Sequence, residues 1–323
     1  MLQNKELNSN SVMDARDHIK NGASLKSLTS KVNFNVKNRL KTFFKLSLST
    51  VVYTIVFILA NAFIPFSQGF RDLGVPNNPY GLLFAFITPA LVCFTIYYIV
   101  KHAQYGGKKL FANIVFVMFF VQLFLVQIET LYFGYVFPAL TNLDILFIMI
   151  AGLLPLLATV PMMMKFFRNK NAVAETIKID IISMLKKLGI IGIIYVCVYM
   201  IFGYVIAWQF EELRIFYSGS TEKLNFWAQM LNNVKTDPCI FPFQIIRGML
   251  FGAFVIPLLN MFKTKKVFIA TVCLIYVYLG VILISPNVLF PDMVRIAHFL
   301  ECTTSMLLFG KIAGNILWRG KKS

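Results

Sequence analysis

Charge is scarce in this chain, and negative charge is scarcest. Of 323 residues 14% are charged, with 14 Asp or Glu against 31 Lys or Arg, while 58% are hydrophobic and the mean hydropathy is +0.71. That shortage excludes a water-soluble globule, which needs a far more polar surface. The five cysteines include no pair in one external segment, since Cys93, Cys197, Cys273 and Cys302 fall inside apolar runs and Cys239 stands alone in a loop. A disulfide scaffold is therefore excluded. Alternating ten-residue strands are also missing, which argues against an outer-membrane barrel.

What is present is a series of long apolar runs. A bilayer crossing takes about 20 residues, because each backbone amide must be satisfied within the helix. Eight runs meet this need, roughly Leu46 to Ile64, Gly81 to Val100, Leu110 to Gly134, Ile145 to Met164, Leu188 to Gln209, Phe243 to Phe262, Val267 to Ser285 and Met293 to Trp318. The expected fold class is all-α, a polytopic integral membrane protein with about eight transmembrane helices. Residues 1–45 form a basic cytoplasmic tail, 46–318 the helical bundle and 319–323 a second basic tail.

The basic residues set the orientation. On alternate sides of the eight runs lie 24 Lys and Arg against four, Arg71, Arg214, Lys223 and Lys235. Short loops rich in Lys and Arg stay in the cytoplasm, so both termini are expected inside a plasma or inner membrane. The net charge of +17 is mostly this topology signal. No basic patch interleaves with aromatic residues, so nucleic acid is excluded as a partner and membrane lipids are expected. Ala60, Asn61 and Ala62 imitate a signal cleavage site, but the polar stretch before the first run is too long for a signal peptide.

Two connections carry patterns of their own. Val173, Ile177, Ile181, Met184 and Leu188 recur at helical spacing beside Lys178, Lys186 and Lys187, which predicts a cytoplasmic interfacial helix over about 171–187. The external loop at about 210–240 is long enough for structure of its own. Gly248 and Gly252, and Gly310 and Gly314, form two GxxxG pairs, expected to pack within the chain rather than to seam a dimer. The oligomeric state is left open. The outer ends of two spans share Q-x-E-x-L, at Gln127 to Leu131 and Gln209 to Leu213, which hints at a duplicated helical hairpin. No inverted repeat is visible.

Ionisable residues within the runs collect at one depth. Counting up from Leu110 at about 1.5 Å per residue, Glu129 stands roughly 28 Å above the inner edge of a core about 30 Å thick. Glu211 and Glu212 finish the fifth run on the same side. Gln244 and Arg247 open the sixth, and Arg295, His298 and Glu301 open the eighth. Charges in a span are costly unless paired or wet, so these eight residues are expected to line an outward-facing polar layer. Two arginines there suit an anionic group. The structural alternative is a set of buried ion pairs, Arg247 with Glu129 and Arg295 with Glu301.

Other chemistries find less support. His298, Glu301 and Glu129 are suitable metal ligands, but only one histidine lies in the spans and the neighbouring arginines disfavour a cation, so no metal and no cofactor are expected. Cys302 stands one turn from His298, a spacing that arises easily without a nucleophilic role. The Glu211–Glu212 pair slightly resembles the double-glutamate motif of CAAX-type intramembrane proteases. That pattern places an arginine four residues after the second glutamate and histidines on two later helices, whereas Arg214 follows Glu212 by two and His298 stands alone. The family is set aside.

The sequence thus leads to a multi-pass membrane protein with an outward-facing charged pocket that binds or transports a small anionic or amphiphilic solute. It leans away from an enzyme. The alternatives are a membrane-embedded enzyme acting on a lipid-linked or extracytoplasmic substrate, with His298 and a glutamate as acid and base, and a non-catalytic scaffold.

Overall fold

A computed structural model describes residues 36–74, 81–168 and 180–318, leaving aside the side chain at 82. The first 35 residues, the upstream part of the expected interfacial helix and the tail at 319–323 lie outside the described residues. The chain divides into two units, Met1–Leu48 and Ser49–Ser323. Of the first, 36–48 are described and are helical.

All regular structure among the described residues is helical. In chain order the helices are α1 (Val36–Phe63), α2 (Gln68–Asp72), α3 (Gly81–His102), α4 (Gly107–Phe119), α5 (Leu125–Tyr132), α6 (Asn142–Phe167), α7 (Ile181–Val205), α8 (Glu211–Ser218), α9 (Phe226–Thr236), α10 (Ile240–Phe254), α11 (Lys265–Val281) and α12 (Asp292–Leu317). A π-helical turn, Phe120–Phe124, joins α4 to α5 into one long element. Ile181 to Lys187 are the opening turns of α7 and run straight into it.

Seven helices are long and apolar enough to cross a membrane: α1, α3, α4 with α5, α6, α7, α10 and α11. The expected eighth span is α12. Its 26 residues give it a length of about 39 Å, enough to cross, but its polar residues keep it out of that set. The spans bury only 22% to 50% of their most apolar windows inside the protein. Large side chains such as Phe57, Phe63, Leu83, Leu143, Ile193 and Ile246 stay exposed, an arrangement that water would penalise and hydrocarbon would not.

Local chemistry sets the element ends. Thr141 and Asp144 form a capping box at the start of α6. The Asp144 carboxylate also accepts from the Ser67 amide (2.7 Å) and hydroxyl (2.6 Å), which fixes the loop before α2 to the same helix end. Gly219, in the left-handed region at φ 68°, terminates α8.

Small residues bring helices together. A Cβ on Gly248 would lie 2.4 Å from the Tyr195 Cβ, and one on Gly252 would meet Leu188, so this glycine pair seats α10 on α7. Gly310 and Gly314 seat α12 on α11 against Cys273 and Ile269. Both GxxxG pairs thus pack within the chain. Between these helix pairs lies an aromatic core: Tyr276 stacks on Phe309 at 5.6 Å, Phe251 meets Tyr276 at 5.3 Å, and Tyr195 meets Phe309 at 4.9 Å. The polar layer lies against this core.

Candidate functional site

Arg247, one turn after Gln244 on α10, is almost fully buried, with its guanidinium 5.4 Å from the Phe251 ring and 5.8 Å from that of Tyr195. A charge in such a place needs partners for every donor. Its Nη2 meets Glu129 at 2.5 Å, its Nε donates to the Leu125 carbonyl at 3.1 Å, and its Nη1 donates to the Tyr195 hydroxyl at 2.8 Å and to Gln244 at 3.4 Å. Gln244 in turn donates to Glu129 at 3.4 Å. The Leu125 carbonyl lies where the π turn meets α5, and such turns often occur at functional sites. In the same turn Gln122 donates to the Ile275 carbonyl on α11 at 3.2 Å.

Arg295 is used differently. It is buried, donates to the carbonyls of Leu283 (3.3 Å) and Ile284 (2.7 Å) and pairs with Asp292 at 2.6 Å. The carbonyls ending the α11 segment carry partial negative charge, which the guanidinium neutralises. Arg295 therefore ties α11 to α12. The expected pairing of Arg247 with Glu129 is formed, and Arg295 takes Asp292 where Glu301 was expected.

Glu301 has other neighbours. Its side chain is 8% exposed, and its Oε2 lies 3.5 Å from His298 Nδ1 and 3.1 Å from Cys302 Sγ, whose thiol donates to it. The other ring nitrogen, Nε2, lies 3.0 Å from the Tyr217 hydroxyl, which α8 brings over α12. With a carboxylate at Nδ1, the imidazole carries its proton there and accepts from Tyr217 at Nε2. Burial, and then the charges of Glu129, Cys302 and Glu301, push the Tyr217 phenol well above its ordinary pKa, so it remains an O–H donor. Phe133, at the end of the helix that carries Glu129, packs on Tyr217 with ring centres 6.0 Å apart, and this contact joins the Glu129 end of α5 to the Tyr217–His298–Glu301 chain.

Six of the eight expected residues, Glu129, Gln244, Arg247, Arg295, His298 and Glu301, lie at the corresponding ends of their helices, five of them around the layer and Arg295 at its edge. Glu211 and Glu212 are not brought in. They sit exposed in the first turn of α8, where a helix N-terminus stabilises negative charge. Arg214, one turn on, is buried and donates to the carbonyls of Trp208, Gln209 and Thr221, which locks α8 in place. Tyr195, Tyr199 and Tyr217 complete the layer, and polarity alone could not have singled them out among 13 tyrosines. An apolar groove lined by Val56, Leu59, Phe63 and Leu154 shares no residue with the layer.

Chemically, the Nε, Nη1 and Nη2 of Arg247 all have partners, Arg295 keeps its buried Nε without a hydrogen-bond partner, and the groups open at the edge are the Glu129 carboxylate (28% exposed) and the His298 imidazole (21%). The open edge of the layer is thus of mixed acidic and imidazole character. No known protein family, characterised protein or solved structure matches the chain.

Proposed function

We propose that this protein crosses a plasma or inner membrane eight times, with both termini in the cytoplasm, and binds a small amphiphilic solute in the polar layer near the outer face. The topology rests on the 24-to-four division of basic residues between the two sides, with α12 as the eighth span. The single observation that carries the solute reading is the gathering of Glu129, Arg247, His298 and Glu301, from three helices, around the buried Tyr195 and the half-buried Tyr199 and Tyr217. A simple anion is disfavoured because the donors of Arg247 already have partners within the chain. An amphiphile fits better: a polar head that offers hydrogens can use Glu129 and His298, while Phe133, packed on Tyr217, and Phe290, packed on His298, supply apolar rings beside the imidazole.

The test is direct. Purified protein in nanodiscs is titrated with lysophosphatidylethanolamine, whose ammonium head offers hydrogens, and with lysophosphatidylglycerol as the anionic comparison. Saturable binding of the first, weakened about tenfold by Glu129→Gln, supports the proposal. Equal partitioning into wild type and variant overturns it. Preferential binding of the anionic lipid restores the anion reading instead.

A further inference from the structure

We propose that His298, Glu301 and Cys302 form a binding site for a zinc-class divalent metal ion. The three side chains lie at i, i+3 and i+4 on one face of α12, and one ligand atom from each falls within 4.8 Å of the other two. Two of the edges are 3.5 Å and 3.1 Å. Metal–ligand bonds of about 2.0 Å to nitrogen or oxygen and about 2.3 Å to sulfur require donor–donor separations of roughly this size around a tetrahedral ion. Little rearrangement is needed to seat one.

The sequence argues against a cation there because Arg247 and Arg295 are close. The structure removes that objection. Arg247 is neutralised by Glu129, and Arg295 by Asp292 and two carbonyls, so neither guanidinium occupies the Glu301 carboxylate. Glu301 is left buried with His298 as its nearest basic partner and a thiol as its other neighbour. Seating a divalent ion changes the protonation of two ligands. Sγ loses its proton to solvent, and the imidazole proton moves to Nε2, which then donates to the Tyr217 oxygen at 3.0 Å while Nδ1 offers its lone pair. That outer hydrogen bond is the usual support of a metal-bound histidine.

The charges also suit the surroundings. A thiolate and a carboxylate cancel a 2+ ion, and a neutral complex is the least costly form in a low-dielectric interior. Imidazole, carboxylate and thiolate together favour zinc or cobalt over calcium and magnesium, which take oxygen donors. Three protein ligands leave a fourth position for water or a ligand group, the pattern of a reactive rather than a closed structural ion. The site shares His298 and Glu301 with the solute layer, but its test involves no solute, so the failure of one reading is distinguishable from the failure of the other.

The experiment uses the full chain purified in detergent, treated with chelator and titrated with Co2+. The expected result is one ion per chain with a near-ultraviolet thiolate-to-cobalt charge-transfer band. The band is lost in Cys302→Ser and kept in Cys239→Ser, whose cysteine is exposed in a different segment. Tyr217→Phe weakens binding roughly tenfold through loss of the outer hydrogen bond. A second measurement needs no variant at all: Zn2+ should slow alkylation of Cys302 by a small maleimide at least tenfold, read by peptide mass spectrometry. A wild-type protein that shows no such band, a band unchanged in Cys302→Ser, or an alkylation rate indifferent to Zn2+ overturns the proposal.

Discussion

Arg247 and Glu129 make the sharpest case for how much one buried charge constrains this molecule. Their side-chain exposures, 3% and 28%, are unequal, so the two ways of breaking the pair leave different remnants. Glu129→Gln strands a guanidinium with nothing but neutral partners, whereas Arg247→Met leaves a carboxylate that water can still reach. Loss of one partner from a buried pair costs about 3–5 kcal/mol, and the partial exposure of Glu129 places this case near the lower figure. The expected order of thermal stability in detergent is wild type, then Arg247→Met, then Glu129→Gln, with the double variant no worse than Glu129→Gln alone. The reverse order of the two single variants would mean that the bonds of Arg247 to Leu125 and Tyr195 outweigh the ion pair. That these residues share one end of their helices was legible, because helix rise converts sequence position into height along the helix. Their partners were not, since choosing Asp292 over Glu301 for Arg295 depends on the backbone at the end of α11, which periodicity does not reveal.

At the scale of the helix, close approach governs. Gly280 is the tightest position of the α11–α12 hairpin, because an added Cβ would lie 2.4 Å from the backbone nitrogen of Thr303, an atom that cannot swing aside. Gly203 on α7 has nothing within 4 Å of the same point. Gly280→Ala is therefore expected to separate the hairpin and lower stability by about 1–3 kcal/mol or more, while Gly203→Ala is neutral or slightly stabilising in its helix. Thermal unfolding of the two variants side by side checks this. Equal stability would show that α12 is free to shift outward without loss, and would weaken every distance drawn from its face. The spans themselves were readable from apolar length. The π turn in the third of them was not, because Phe120 to Phe124 carry the same apolar pattern as their neighbours and the widened turn is defined by packing against α11. The short helices α8 and α9 were equally hidden inside a loop whose composition signalled only that it was long enough to fold.

For the whole molecule the deciding question is which end of the bundle faces the cytoplasm, since a layer open to the outside and one open to the inside would meet different solutes. The basic residues and the polar layer lie toward opposite ends of the spans, and a bilayer enforces the first of these through the cost of moving Lys and Arg across it. Cys239 reports on the layer's side, because it is exposed in the turn that leads into α10, eight residues before Arg247. Helix rise places those two residues about 12 Å apart along the axis. A membrane-impermeant maleimide applied to intact cells should therefore label Cys239. A cysteine introduced at Lys108, at the start of α4 in a basic loop, should be labelled only after permeabilisation. If the two labels exchange places, the orientation is inverted, the polar layer opens toward the cytoplasm, and both the solute and the metal ion must be sought in that compartment.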